Sequence, residues 1–443
     1  MTWLLLVRTI MIPEEKIKAL FDNYLEKHTP EYKVSTPPPV DLTQIVVIPS
    51  YREKDYLFRT LDSLRACQPP SGTVEVIVVL NTSEKDSPAI QEEQKQCQRA
   101  LSEYSQKYQV PWLQIYSLEA YQLRKKHFGA GMARKIGLDE AIRRFHAIHR
   151  PNGIISCLDA DSPVAPNYFT AIEEWYQTPE HQAAVIYFEH PLDGIHFPSE
   201  VYEAITLYEL HLRYYLLALK QTGFPYASHT IGSCMSFRAI KYVQAGGMPR
   251  KQAGEDFYFL QKLIPLGGFG QITTTTVYPS PRPSNRVVFG TGASIREHLN
   301  GTKKLGKTYN PEAFNDLHNF FSRAKELRAI SPDKLEIWAY NLSGPLRSFL
   351  LNTNFEEELS IILTNSNSEK TFLKRFYATF NSFRIVKYLN YSHEHFYAKT
   401  DVFEAAFTLM ESIGEEISHI LDEKDLLLKY REVEKRDNTI IID

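Results

Sequence analysis

The chain is poor in cysteine: 443 residues hold 4, at positions 67, 97, 157 and 234, with no C-x-x-C pair among them. That is the usage of reduced intracellular thiols rather than of a disulfide framework or a zinc site, and it predicts a cytoplasmic protein. Long apolar runs are missing as well. A membrane-spanning helix needs roughly 18–20 apolar residues, whereas the N-terminal stretch Trp3-Leu4-Leu5-Leu6-Val7 meets Arg8 at once. The helix-like stretch from Val201 to Lys220 is interrupted by Glu203, Glu209, His211 and Arg213. Neither an anchor nor a signal peptide is expected, and only peripheral docking at the inner face of a membrane stays open. Net charge is nearly absent, since 50 Lys and Arg stand against 53 Asp and Glu, for a formal charge of -3. Bulk electrostatics therefore gives no reason to expect a nucleic-acid partner. Two phosphate-binding signatures are also absent. There is no G-x-x-x-x-G-K-[ST] loop, and in Gly129-Ala130-Gly131-Met132-Ala133-Arg134 the third glycine of a dinucleotide fingerprint is replaced by Arg134.

What is present is an ordinary globular composition, 43% hydrophobic and 23% charged, on a chain long enough for more than one domain. A short amphipathic helix at 14–26 leads into Thr36-Pro37-Pro38-Pro39, which ends it, so residues 1–40 read as a helical arm and linker. From Gln44 onward, β-branched runs (Ile45 to Ile48, Val74 to Leu80, Leu113 to Tyr116, Ile154 to Leu158, Ala184 to Phe188) alternate with helical periodicity. That alternation predicts an α/β domain at 41–295: a doubly wound, mostly parallel sheet with helices on both faces. Residues 296–443 read as a mostly helical C-terminal domain, broken by joints such as Asn365-Ser366-Asn367-Ser368.

In an open parallel sheet ligands bind beyond the carboxyl ends of the strands. Those ends here are Pro49-Ser50-Tyr51-Arg52-Glu53, Asn81-Thr82-Ser83 and Asp159-Ala160-Asp161-Ser162. In an extended segment, Asp159 and Asp161 point to one side, which suits Mn²⁺ or Mg²⁺ held by one or two carboxylates while phosphate oxygens fill the other positions. The plain alternative is a turn or helix cap. Downstream, Gly254-Glu255-Asp256 places two acids in a first helical turn, good dipole matching in itself and also a place for a general base. Arg282 and Arg286 flank a Pro-rich stretch that reads either as a solvated loop or as a mobile lid bringing guanidinium groups to a diphosphate. His229 either lines an acceptor pocket or is a satisfied structural histidine.

Taken in order, Pro49, Tyr51 and Glu53, then Ala133-Arg134-Lys135-x-Gly137, then Asp159-x-Asp161, then Glu255-Asp256, the chain from Ile45 to about Leu263 resembles a family 2 glycosyltransferase with the GT-A fold. The resemblance implies a nucleotide-diphosphate-sugar donor bound around Pro49, Tyr51, Glu53, Asn81, Arg134, Lys135 and Asp159. It also implies a divalent metal held chiefly by Asp161, and Asp256 as catalytic base with Glu255 beside it. Two departures bear on the donor. Arg52 stands where the family usually has Asn, and Leu80-Asn81 stands where an Asp pair commonly reads the base, so uridine is not assumed. The expectation is a metal-dependent, inverting transfer of a sugar to a hydroxyl acceptor, whether glycan, lipid-linked or small molecule. Retaining chemistry on the same scaffold and a non-catalytic nucleotide-sugar-binding scaffold stand as alternatives. Donor base, sugar, acceptor and oligomeric state are not written in the sequence.

Overall fold

The structure is a computed structural model and describes residues 13–250, 254–286, 289–437 and 440–441. By its contacts the chain forms two compact units interleaved in sequence. The first joins Met1–Ala184 to Gly232–Phe259, and the second joins Val185–Ile231 to Leu260–Asp443. These seams do not fall at 40 or 295, so the three-part division expected from sequence stays a reading of composition and periodicity.

The first unit is built on strands β1 (Leu42–Ser50), β2 (Thr73–Ser83), β3 (Leu113–Leu123) and β4 (Ile154–Cys157), interspersed with helices α1 (Glu14–Lys27), α2 (Lys54–Arg65), α3 (Pro88–Lys107), α4 (Ala130–Ala147) and α5 (Tyr168–Trp175). β5 (Ala183–Phe188) and α6 (Ser199–Gln221) lead through the second unit, and the chain returns as β6 (Met235–Arg238), α7 (Ala239–Gln244) and α8 (Glu255–Leu263). Strand order is β3-β2-β1-β4-β6, with β1, β2, β3 and β4 parallel and β6 antiparallel to β4. The β-branched runs become strands because they are covered on both faces: every residue of β2 and β4 is buried. After β1 the chain builds outward to β3 and then returns to the other side of β1 as β4. The order thus reverses between β1 and β4, and their carboxyl ends splay apart to form the crevice of the sheet. Pro49 is tolerated because β4 stops pairing at Val47↔Cys157, so no ladder bond on that side needs its missing N–H.

Helix α4 sets the depth of the crevice. A Cβ on Gly137 would lie 2.4 Å from Val47 Cγ1 and 3.0 Å from Val79 Cγ2, so only glycine lets the helix rest directly on β1 and β2. Arg134, one turn earlier, is thereby carried to the carboxyl ends of the strands. The helix predicted at 14–26 is present as α1 and is attached to the unit: Tyr24 donates to Asp139 Oδ1 at 2.7 Å, and Tyr242 of α7 donates to the same oxygen at 2.9 Å.

The second unit contains β7 (Phe269–Val277) and helices α9 (Thr291–Leu299), α10 (Pro311–Ser322), α11 (Leu335–Ala339), α12 (Gly344–Leu351), α13 (Phe355–Thr364), α14 (Glu369–Thr379), α15 (Ser382–His395), α16 (Val402–Ser412) and α17 (Glu423–Lys435). Its aromatic-rich helices pack on one another through Phe320, Phe349, Phe355, Phe376, Phe380 and Tyr388, all buried. Beside this apolar core runs a buried ionic group. Glu209 of α6 accepts from Arg213 Nε at 2.8 Å, Arg431 Nε at 2.7 Å and the His190 ring at 2.8 Å, while Arg213 also pairs with Glu434 of α17. Burial works against the charge of Glu209 and Glu434, but their partners together outweigh it, Arg213 foremost with His190 and Arg431 at Glu209 and His229 and Gln271 at Glu434, holding both carboxyls below their ordinary range. Their stabilisation is therefore complete above the usual carboxylate range and is lost only as pH falls through the depressed values. Replacing Arg213 by Met removes the cation shared by two buried carboxylates and is expected to cost about 3 kcal/mol of stability in urea unfolding. A loss below about 1 kcal/mol would show that the network does not hold α17 to α6.

Candidate active site

Arg134 is the centre of the crevice in the first unit. Its side chain is 4% exposed, Nη2 donates to Asp159 Oδ1 at 2.8 Å, and Nη1 pairs with Glu255. Burial opposes its charge, but the Asp159 and Glu255 carboxylates more than compensate and raise its pKa above the ordinary arginine value. Gly232 makes room for it: a Cβ there would lie 2.8 Å from Nη2 and 3.0 Å from Cζ. The guanidinium thus joins the loop after β4 to the first turn of α8, and Gly232, at the approach to β6, is the spacer.

The two acid pairs expected from sequence are brought together, with different tasks. Glu255 is buried and committed to Arg134. Asp256 is half-buried, and one of its carboxylate oxygens accepts the backbone N–H of Phe257 at 2.8 Å. Burial, reinforced by the neighbouring Glu255 charge, pushes the Asp256 carboxyl up to about 6. Asp159 is also raised by burial, against the pull of Arg134, yet 41% of its side chain reaches solvent. The segment after β4 is a turn rather than extended chain, closed by Ser162 N donating to Asp159 O at 3.2 Å. Asp161 sits in that turn half-buried, and the buried Ser162 hydroxyl beside it has no partner among the described residues.

A divalent cation fits this donor set in one way. Among the described residues no group of three or more His, Cys, Asp or Glu is placed to hold a metal. The chain therefore offers Asp161 and the accessible edge of Asp159, a sparse hard-oxygen set that leaves most positions to substrate oxygens, as Mg²⁺ or Mn²⁺ in phosphate sites requires.

At the ends of β1 and β2 the sequence-predicted residues are likewise adjacent. The Tyr51 ring meets Phe128 edge-on at 4.8 Å, and its hydroxyl donates to Asp86 at 3.0 Å, with burial pushing the phenol up to about 12. Arg52 adopts a left-handed backbone, φ 57°, that favours Asn or Gly, and is held there by Gln94 and Glu93 of α3. Gln94 Nε2 also donates to Ser50 O at 2.8 Å and Asn81 O at 3.2 Å, tying the two strand ends together. Asn81 is 1% exposed, and neither end of its amide is paired among the described residues; the buried Ser50 hydroxyl is unpaired too. Glu53 is buried at the start of α2.

Other candidates lie elsewhere. Lys135 is turned into the α1 contact, pairing with Asp139 at 2.8 Å, and does not join Arg134. His229 belongs to the second unit, where it is buried with Nε2 3.2 Å from Glu434 and its ring against Phe188. The half-buried Arg282 and Arg286 are also in the second unit, each in a turn made by a serine two residues earlier. Sequence reading missed Gln94, Asp86, Phe128 and Gly232. Only Gly232 carried a visible signal, as the glycine that opens the strand-like run Gly232-Ser233-Cys234-Met235.

Residues 45–242 match the profile of glycosyl transferase family 2. A mostly parallel GT-A type sheet with its polar cluster at the carboxyl edge agrees with that match, which supports a nucleotide-sugar-dependent glycosyltransferase. Among solved structures, residues 1-349 of S. aureus TarS are 15% identical, the match covering 80% of this chain and 91% of that one at a TM-score of 0.35. The same fragment with UDP-GlcNAc is 13% identical over 86% and 95%, at 0.36. The mannosyltransferase PcManGT from Pyrobaculum calidifontis, with GDP-Man and Mn²⁺, is 13% identical over 95% of both chains, at 0.31. At these scores the likenesses decide nothing about donor or acceptor here. No curated protein matches the chain. No helix among the described residues is long and apolar enough to cross a membrane.

The spacer role of Gly232 is open to test. Gly232→Ala should push the guanidinium of Arg134 off its two carboxylates, lower turnover by about 10²-fold, the cost of an ångström-scale misplacement, and lower the melting temperature as a buried ion pair is broken. Full activity in that variant would show that the placement of Arg134 is unimportant.

Proposed function

We propose that the protein transfers a glycosyl group from a nucleotide-diphosphate sugar to a hydroxyl acceptor with inversion, and that Asp256 is the base. The observation that carries this reading is the division of the two adjacent acids. Glu255 is spent on Arg134, whereas Asp256 is half-buried and raised to about 6, near the working pH of a general base.

In this reading the diphosphate lies along the Asp159–Arg134 floor, with the nucleoside toward Tyr51 and Asn81. The unpaired Asn81 amide is sealed beneath that end of the crevice and shapes it rather than meeting the base itself. A divalent cation held by Asp161, with Asp159 at its side, supplies charge neutralisation to the leaving diphosphate. Asp256 takes the proton of the acceptor hydroxyl, and the freed oxygen pair forms a bond to the anomeric carbon. The bond from that carbon to the diphosphate oxygen breaks on the opposite face, and its electrons leave with the nucleotide. Arg134 keeps Glu255 and Asp159 from repelling one another and the incoming anion.

Asp256→Asn keeps the shape and removes the basicity. Turnover should fall about 10²- to 10⁴-fold with donor affinity nearly unchanged, and NMR of the residual product should give the anomer opposite to the donor's. Normal turnover would remove Asp256 from the mechanism, and a parallel loss of donor binding would make it a binding residue.

A further inference from the structure

We propose that the second unit carries a binding site for an uncharged saccharide, in the cavity between the loop after β5, helix α6 and the start of α17. The cavity measures about 640 Å³, within the range of about 300–1,000 Å³ typical of small-molecule sites. None of its residues belongs to the crevice described above.

Its floor is apolar and firm. Leu192, Phe197 and Leu207 line it, and all pack from below on the buried cluster of Val201, Ala204, Ile205, Ile295 and Leu305. The Phe197 ring is half-exposed and braced edge-on by Tyr202 at 6.0 Å between centroids. A firm, partly exposed aromatic ring is the surface on which the C–H face of a pyranose packs.

The rim chooses the charge of the ligand. Asp193, Glu203, Asp422 and Glu423 face one cation, Lys424, whose Nζ is already paired with Asp193 at 2.9 Å. A rim so acidic repels a nucleoside diphosphate or a phosphate-rich polymer. Ionised carboxylates are acceptors only, so they are matched by a ligand rich in hydroxyl donors. Ile195, 96% exposed, and Leu421, 86% exposed, are chain neighbours of the lining residues Gly194 and Asp422. The site's purpose, to hold an acceptor or product glycan, rests on the transferase reading above, but its occupancy does not require turnover.

The test is saturation-transfer NMR on the full chain with maltose, cellobiose, lactose and N,N′-diacetylchitobiose, alongside spermidine and UDP, each at about 5 mM, a concentration that detects millimolar affinity. At least one disaccharide should bind, its affinity should be unchanged by excess UDP with Mn²⁺, and it should fall at least about 10-fold in Phe197→Ala, the loss of one aromatic contact. Glu203→Lys, an exposed change that leaves the core alone, should weaken it similarly and guards against Phe197→Ala failing to fold. The proposal is overturned if no disaccharide binds, if binding survives both variants, or if spermidine alone binds. Failure of the transferase reading would appear differently, as saccharide binding by a protein that turns over no nucleotide sugar.

Discussion

The buried guanidinium of Arg134 is tolerable only because Asp159 and Glu255 are there to meet it, and they come from positions 25 and 121 residues away in sequence. The structural features of the crevice follow from this bridge. Gly137 seats α4 low enough to aim the side chain at the strand ends, Gly232 leaves the space it fills, and the turn after β4 presents Asp159 to it. Because Glu255 is consumed by the bridge, its charge adds to burial in raising the carboxyl of its neighbour Asp256.

The second unit solves the same electrostatic problem for a different end. Glu209, Arg213, Arg431 and Glu434 are more deeply buried than the crevice group, whose Asp159 reaches solvent, and they are closed on one another and on backbone carbonyls. Such a group orients helices; it has no face left for a substrate. His229 illustrates the difference: of its two readings from sequence, an acceptor-pocket residue or a satisfied structural histidine, its contact with Glu434 places it in this closed network.

The α/β alternation, the parallel sheet and the helical C-terminal region were legible because β-branched runs and helical periodicity are local signals. The pairing of Asp159 with Glu255 was not, because nothing in either motif says that one arginine must satisfy both. The same limit misplaced Lys135. A cation next to Arg134 in sequence points about 100° around the helix from it, and here that direction is Asp139 and α1. The turn at 159–162 replaced an expected extended segment because Ser162 N–H finds Asp159 O. The interleaving of the two units also has no sequence signature, since the excursion through α6 changes neither composition nor period.

The account depends on Asp256 being ionised to act, with a pKa lifted to about 6, so the pH dependence of kcat/KM tests it most directly. The predicted profile climbs about tenfold per unit below pH 6 and levels off above it, as one group loses its proton. A profile flat from pH 4.5 to 8, or one that falls as pH rises through 6, would contradict the claim that this carboxylate is the base.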